Sequence, residues 1–245
     1  MVNAIEVENL NKSFRVGFWG TQKKILHHVS FRVPLGQTTG FVGNNGSGKT
    51  TSLKCILQFI HPDSGNIHFF GKPLSFSSKN RLGYLPERPY LYEFLTGLEY
   101  LKFHWNLADH SEPSDFRERA LEALGKVNLL EAKDVVLRKY SKGMLQRVGI
   151  AQAILHRPEL LILDEPMSGL DPDGRFLVKE ILREEQKRGT TIFFSSHLLQ
   201  DMEELCTHLC AIHQGKIIHD GPLTSFVREH ASLEKAFQVH KENQR

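Results

Sequence analysis

Alternating apolar and polar positions predict β-strands in the first third of the chain. Apolar residues alternate with polar ones at Ile5 and Val7, and again at Val29, Phe31 and Val33. The apolar segment 38–42 predicts a further strand, which leads into a glycine-rich loop and a helix over 50–59. Turn-forming residues at 61–65 separate this helix from a strand that we expect over 66–70.

The middle third of the chain has the pattern of helices. Thr96 and Glu99 have the spacing of a capping box at a helix N-terminus. Apolar residues then share one helical face at Leu98, Leu101 and Trp105. Helical patterns follow over 114–127 and 143–156. We therefore expect an all-helical subdomain over about 95–157, inserted in an α/β chain.

The last third alternates between strand and helix patterns. These segments are 160–163, 176–187, 190–194 and 198–205. Such alternation is typical of βαβ units and of a mainly parallel sheet. We expect one domain over 5–230, followed by a polar C-terminal tail over 231–245.

Composition adds several exclusions. The 245 residues are 40% hydrophobic and 24% charged, which is typical of a globular protein and excludes a fibrous or disordered chain. A net charge of +3 over 245 residues does not indicate the clustered Lys and Arg of a nucleic-acid-binding surface, so we expect no nucleic-acid partner. The 3 cysteines are too few for a disulfide framework and favour a reducing compartment. With no signal peptide pattern and no apolar run of about 18 residues, we expect a cytoplasmic protein whose membrane role depends on a partner.

The segment 43–50 matches the phosphate-binding loop Gly-x4-Gly-Lys-Ser/Thr. It lies between a predicted strand and a predicted helix, where its glycines let backbone N–H groups turn towards a phosphate and the helix N-terminus adds a positive dipole. We expect Lys49 to reach the β- and γ-phosphates of a nucleoside triphosphate and the Thr50 hydroxyl to ligate Mg²⁺. The alternative is a Gly/Asn-rich turn without a ligand. The expected nucleotide-binding residues are Gly43, Asn44, Asn45, Gly46, Ser47, Gly48, Lys49, Thr50 and Thr51.

Two adjacent carboxylates follow the apolar segment 160–163. Asp164 is placed to hold the Mg²⁺ shell, and Glu165 to orient and polarise an attacking water. An isolated strand that ends in Asp-Glu often only caps a helix. Because this pair occurs together with the phosphate loop, we interpret it as catalytic.

The motifs together resemble those of the ATP-binding subunits of ABC transporters, over roughly residues 5–227. In chain order they are Phe14, the phosphate loop, 84–87, 140–144 followed by Gln146 and Arg147, 164–166, 168–171 and His197. The resemblance implies an α/β fold with a P-loop NTPase core, a mainly parallel sheet, an N-terminal antiparallel β portion and an inserted all-helical subdomain. It also implies roles for single residues. Phe14 would stack on adenine, Glu87 would replace a metal-contacting glutamine, Asp171 would lie in a loop at the dimer interface, and His197 would contact the γ-phosphate.

The segment 140–144 resembles the family signature. Ser141 is a good N-cap for a helix that starts near Lys142, so its hydroxyl and the first N–H groups converge on one point. The resemblance implies that Ser141 and Gly143 bind the nucleotide of a second subunit, in a head-to-tail homodimer. Read alone, the same residues are an ordinary capped helix. Tyr140, Lys142 and Met144 depart from the usual signature but resemble a form found in bacterial exporters.

We therefore expect an ATP-hydrolysing subunit that powers a separate membrane permease, more as an exporter than an importer. The alternatives are a soluble relative that acts on DNA or ribosomes, and a small-molecule or nucleotide kinase. The aromatic-rich segment 94–105 is either core or the surface that receives the permease. A zinc site at Cys206, His208, Cys210 and His213 is weaker than a plain core interpretation, because strand alternation separates Cys210 from His213.

Overall fold

The computed structural model describes residues 2–17, 20–107, 115–228, 230 and 232–242. The chain forms two compact units, Met1–Ser75 with Phe193–Arg245, and Phe76–Ile192. Residue 114 of a predicted helix and residues 231 and 243–245 of the predicted tail lie outside the described residues.

An antiparallel sheet opens the first unit. Its strands are β1 (Asn3–Val16), β2 (Thr21–Pro34), β4 (Ser64–Phe69) and β5 (Lys72–Pro73), in the order β2-β1-β4-β5. The apolar positions of the sequence pattern point inward, since Ile5 and Val33 are fully buried and are register partners. The predicted antiparallel β portion is confirmed.

The other strands of the first unit build the start of an α/β core. They are β3 (Thr38–Val42), β9 (His208–His213), β10 (Lys216–Pro222) and, from Phe193 on, β8 (Thr191–Ser196). β3 pairs with β9 in parallel, and β10 pairs with β9 antiparallel. The rings of Phe31, Phe41 and Phe193 cluster at centroid distances of 5.3 to 5.7 Å. They fill the core between β2, β8 and β3, the strand that leads to the phosphate loop.

The helices of the first unit include two near its C-terminal end that the sequence analysis did not predict. They are α1 (Lys49–Ile56), α7 (Leu199–Leu205), α8 (Leu223–Val227) and α9 (Leu233–Glu242). Instead of continuing as a polar tail, the chain forms α9, in which Leu233, Ala236 and Phe237 are buried. Their spacing of three and four residues places them on one face of the helix, so α9 packs as part of this unit.

The second unit contains the predicted helical segment. Its elements are α2 (Phe76–Lys79), β6 (Leu82–Leu85), α3 (Gly97–Leu107), α4 (Phe116–Lys126), a 3₁₀ turn (Leu137–Lys139), α5 (Lys142–Ile154), β7 (Leu160–Asp164) and α6 (Pro172–Lys187). The predicted capping box is confirmed: the N–H of Thr96 donates to Glu99 Oε2 at 2.8 Å, and the N–H of Glu99 donates to Thr96 Oγ1 at 3.2 Å. β6 and β7 pair in parallel, as expected for the α/β core.

A buried ion pair joins two helices of the second unit. The Glu185 side chain of α6 is only 2% exposed, and its Oε1 accepts from Lys126 Nζ of α4 at 2.6 Å. Arg188 donates to the same oxygen at 3.2 Å. Two cations therefore neutralise a carboxylate that would otherwise be buried with an uncompensated charge.

None of the helices in the described part of the chain has the length and apolar character needed to cross a bilayer. The helix α6, for example, has 16 residues and carries charged residues along its exposed face. A membrane-spanning helix needs about 20 predominantly apolar residues.

Candidate functional site

The phosphate loop of the first unit lies between the buried strand β3 and helix α1. Lys49, the first residue of α1, is only 7% exposed, and its Nζ donates to the carbonyl oxygen of Gly43 at 2.6 Å. The N–H of Ser47 donates to the Asn44 carbonyl at 3.0 Å. These two bonds close the loop on itself and hold the lysine ammonium inside it. Thr50 and Thr51 follow on the first turn of α1, where both are partly exposed.

Steric constraints explain why two positions of the loop are glycines. A Cβ at Gly43 would lie 2.5 Å from both the Ile212 carbonyl oxygen and Ser47 Oγ. Gly48, at φ +109°, has a left-handed conformation that L side chains rarely adopt, and a Cβ there would lie 2.8 Å from Leu26. The bare backbone is thus required at both ends of the lysine-bearing turn.

The loop fits a phosphate ligand. The buried hydroxyl of Ser47 has no hydrogen-bond partner among the described residues. Such a group is uncommon in a native interior, and a phosphate oxygen would satisfy it. The loop thus combines a buried cation, an unsatisfied hydroxyl and a side-chain-free backbone, which is the chemistry that a triphosphate needs.

His197 shares a cavity with the phosphate loop. This cavity has a volume of about 220 Å³ and is lined by Val42, Gly43, Asn44, Asn45, His197, Leu199 and Phe237. His197 follows β8, while Phe237 belongs to α9. The sequence resemblance implies that His197 contacts the γ-phosphate, and the structure brings this residue and the loop to one cavity. Phe237 was not predicted, because its helix was taken for a tail.

Phe14 lies near the end of β1 with 39% of its surface exposed. Lys12 Nζ lies 5.3 Å from the centroid of its ring. Phe14 is thus a partly exposed aromatic residue, at the position where the sequence resemblance implies stacking on adenine.

The carboxylate pair of the second unit lies at the end of β7, whose five residues are all buried: Asp164 is the last of them, and Glu165 follows the strand. Asp164 is 2% exposed, and burial together with the nearby Asp164 charge raises the pKa of Tyr84 to about 12. Glu165 has a φ of +53°, in the left-handed region that favours glycine. A non-glycine residue in this conformation is strained, and such strain is concentrated at functional sites.

Glu87 lies at the same sheet edge as the carboxylate pair. Leu85, the last residue of β6, is the register partner of Leu163 in the parallel strand β7. The chain therefore leaves both strands on one side, towards exposed Glu87 and towards Asp164.

The signature segment has the predicted N-cap. Ser141 Oγ accepts from the N–H of Met144 at 3.2 Å and caps α5. Tyr140, which replaces the usual leucine, is buried and its hydroxyl donates to the Ala132 carbonyl at 2.7 Å. Lys142 and Gly143 follow at the helix start, where Lys142 is exposed and Gly143 partly exposed.

Asp171 has a local structural role at the start of α6. Its Oδ1 accepts from the N–H of Gly174 at 2.9 Å and so caps α6. The sequence motif 168–171 alone did not indicate this bond.

The cysteine and histidine residues near β9 pack as parts of the first unit. Cys206 and Cys210 are buried, and Cys206 Sγ contacts Met202 Sδ at 3.7 Å. His208 pairs with Asp220 at 2.9 Å. Within the described residues no group of His, Cys, Asp or Glu has the arrangement of a metal site.

Comparison with known proteins gives one family. A family model described as "ABC transporter" matches residues 26–168. An uncharacterised ABC transporter ATP-binding protein of Nostoc is 44% identical over 90% of this chain and 67% of its own length. The bacitracin transport ATP-binding protein BcrA of Enterococcus faecalis is 38% identical over 90% of this chain and 70% of its own. The chain thus spans about two thirds of the length of these curated relatives.

A solved structure described as the ATP-binding subunit of an ABC transporter has the same fold. Its TM-score is 0.85 at 30% identity, with 97% of this chain and 99% of that chain covered. The predicted combination of a P-loop core with an antiparallel portion and a helical insertion is confirmed by this likeness.

Proposed function

This chain belongs to the ATP-binding proteins of ABC transporters, and from that premise we propose that it hydrolyses ATP to drive a separate membrane permease. ATP binding and ATP hydrolysis are the activities of this family. The observation that carries the proposal for this chain is the phosphate loop, in which Lys49 is held inside a cradle that a Cβ at Gly43 would fill.

ATP would bind with its β- and γ-phosphates in this loop. Lys49 would exchange the Gly43 carbonyl for phosphate oxygens, because a charge-assisted bond to an anion is stronger than one to a neutral carbonyl. The unsatisfied Ser47 hydroxyl would donate to a phosphate oxygen. Phe14 would stack on the adenine.

Mg²⁺ fits the oxygen donors of the motifs. Thr50, Asp164 and Glu87 offer a hydroxyl and two carboxylates, the hard ligands that Mg²⁺ prefers. When bound, the ion neutralises charge on the phosphates. A carboxylate at Glu87 ligates a cation without the N–H donor that a glutamine would add.

Glu165 would act as the general base. Its carboxylate would accept a proton from water while the water oxygen attacks the γ-phosphorus. The bond between the γ-phosphorus and the oxygen that bridges it to the β-phosphate would break, and ADP would leave with that oxygen and the bonding electrons. His197 would hold the γ-phosphate from the cavity that it shares with the loop.

Two copies of the chain would complete each other's sites. Ser141 caps α5 with its hydroxyl at an exposed helix start, where the N–H groups and the dipole attract an anion. We assign Ser141, Gly143 and Asp171 to the nucleotide of a partner copy, in a head-to-tail homodimer. ATP would then favour the closed dimer, since only that state uses both faces of the nucleotide.

An exposed aromatic cluster is our candidate for the permease contact. Tyr90 and Phe94 are 83% and 72% exposed, and Tyr92 packs between them and Phe103 at ring-centroid distances of 5.0 to 6.0 Å. Such a patch is rare on the surface of a monomeric protein and common at protein interfaces. The cluster begins a few residues after Glu87, so a permease bound here would lie next to that carboxylate. The chain would then work at the inner face of the membrane.

Export is the direction that we propose. The signature variant 140–144 resembles that of bacterial exporters, and one relative is named for bacitracin transport.

The test compares ATP binding and hydrolysis in three variants. Lys49→Ala should weaken ATP affinity, because it removes the buried cation from the β- and γ-phosphates. Glu165→Gln should keep ATP affinity but lose hydrolysis by at least about a hundredfold, since general-base catalysis contributes at least that much. Lys54→Ala removes an exposed lysine from the same helix α1 and is the matched control, with both properties unchanged. Normal ATP affinity in Lys49→Ala would contradict the phosphate-loop assignment. Normal turnover in Glu165→Gln would contradict the assignment of Glu165 as the base.

A further inference from the structure

A buried glutamine of α5 holds the backbone of the proposed base. Gln146 is 6% exposed, and its Nε2 donates to the carbonyl oxygens of Pro166 at 3.1 Å and of Glu165 at 3.3 Å. Both carbonyls belong to the segment that leaves β7. A buried side-chain amide that donates to two successive carbonyls fixes the direction of the peptide groups between them.

The backbone that this glutamine holds is strained. Glu165 has a φ of +53°, and a residue with a Cβ keeps that conformation only where its surroundings impose it. Its carbonyl also accepts from the N–H of Ser168 at 3.1 Å, which closes a turn. The turn bond fixes one side of the Glu165 carbonyl, and the Gln146 amide fixes another.

The first turn of α5 contacts the other end of the same segment. A Cβ at Gly143 would lie 3.5 Å from Leu170 Cδ2, and one at Gly169 would lie 2.6 Å from Lys142 Cε. The helix α5 therefore contacts both the start and the end of the segment 165–171. Because a helix is stiff over two turns, the signature residues at its start and the backbone of Glu165 are fixed relative to each other.

We propose that Gln146 is a positioning residue for Glu165, and that its two hydrogen bonds hold the catalytic carboxylate in the orientation needed to polarise water. The inference rests on the proposed function of Glu165 as the base. Gln146 acts through the main chain of Glu165 and does not touch ATP. Its removal should therefore affect turnover and leave the binding of ATP intact.

The test uses two neighbouring residues of α5. Gln146→Met keeps the length of the side chain and removes its donors. Arg147→Met is the matched control, because Arg147 Nη1 also donates to two backbone carbonyls, those of Val127 at 2.9 Å and Asn128 at 3.3 Å. Both variants lose a similar set of hydrogen bonds from one helix, and they differ in whether the partner backbone belongs to the base.

We expect Gln146→Met to lower kcat by about a hundredfold, the loss that a misplacement of about 1 Å produces. Its KM for ATP should stay within about twofold. Arg147→Met should lose a comparable amount of thermal stability and keep its kcat within about threefold. In a Glu165→Gln background, adding Gln146→Met should leave the rate of single-turnover hydrolysis unchanged, because there is no carboxylate left to position.

Three results would overturn the inference. These are equal kcat values in the two α5 variants, a rise in KM that accounts for the loss in Gln146→Met, and a further drop in the Glu165→Gln background. Should Gln146→Met not fold, Gln146→Asn withdraws the amide by one methylene, and a wild-type kcat there overturns the inference as well. If Glu165→Gln itself turns over normally, the proposed base is wrong. If it is inactive while Gln146→Met is fully active, only the positioning role is wrong.

Discussion

Replacing Lys126 by methionine should lower the free energy of unfolding by about 2 kcal/mol. The side chain of Glu185, its partner at 2.6 Å, is 2% exposed, so its charge cannot be hydrated in place. Removing one partner of a buried ion pair generally costs about 3–5 kcal/mol, because the other charge stays buried without compensation. The expected loss is smaller here, since Arg188 reaches the same carboxylate at 3.2 Å and the Lys126 side chain is 17% exposed.

Urea unfolding followed by far-UV circular dichroism measures this loss. The matched control is Arg183→Met, which breaks the ion pair between Arg183 and Glu180. The side chains of these two residues are 38% and 46% exposed, respectively. An exposed pair of this kind contributes about 0–1 kcal/mol, so the urea midpoint of Arg183→Met should stay close to that of the wild type. Equal midpoints for the two variants would refute the claim that burial makes the Lys126 pair important. A changed slope in either variant would show that the unfolded or native state had changed instead of the stability alone.

Two further predictions concern the composite sites and the coupling to a permease. Mixing Ser141→Arg subunits with Lys49→Ala subunits should restore ATPase activity that neither variant has alone, because each heterodimer regains one intact site. Heterodimers without activity would contradict the head-to-tail arrangement. Glu87→Ala should spare ATP binding and abolish the stimulation of hydrolysis by the reconstituted permease, since it would remove the proposed link between the metal and the aromatic cluster. Stimulation equal to that of wild type would show that Glu87 is only a loop residue.

Features whose residues lie close in sequence were predictable. The capping box of Thr96 and Glu99, and the N-cap Ser141 with Met144, each join residues three positions apart. The phosphate loop is likewise contiguous, and its position between a buried strand and a helix follows from the hydrophobic pattern. Local spacing alone decides such features, so the sequence is sufficient for them.

Features that join distant residues were not predictable. Gln146 meets Glu165, and Lys126 meets Glu185, because separate elements pack together, and no spacing in the sequence encodes those contacts. The helix α9 is a different case. Its apolar residues have helical spacing, but a mostly polar composition concealed a pattern that burial in the structure makes clear.

The presence of Phe237 in the cavity of the phosphate loop has a consequence for genetic screens. A search for loss of transport would recover substitutions in α9 alongside those in the nucleotide-binding motifs, although α9 contains none of these motifs. If alleles were classified only by whether they lie in a known motif, these alleles would be counted as folding or interaction defects. From its place in the cavity, we expect alleles of Phe237 to have the same phenotype as alleles of His197.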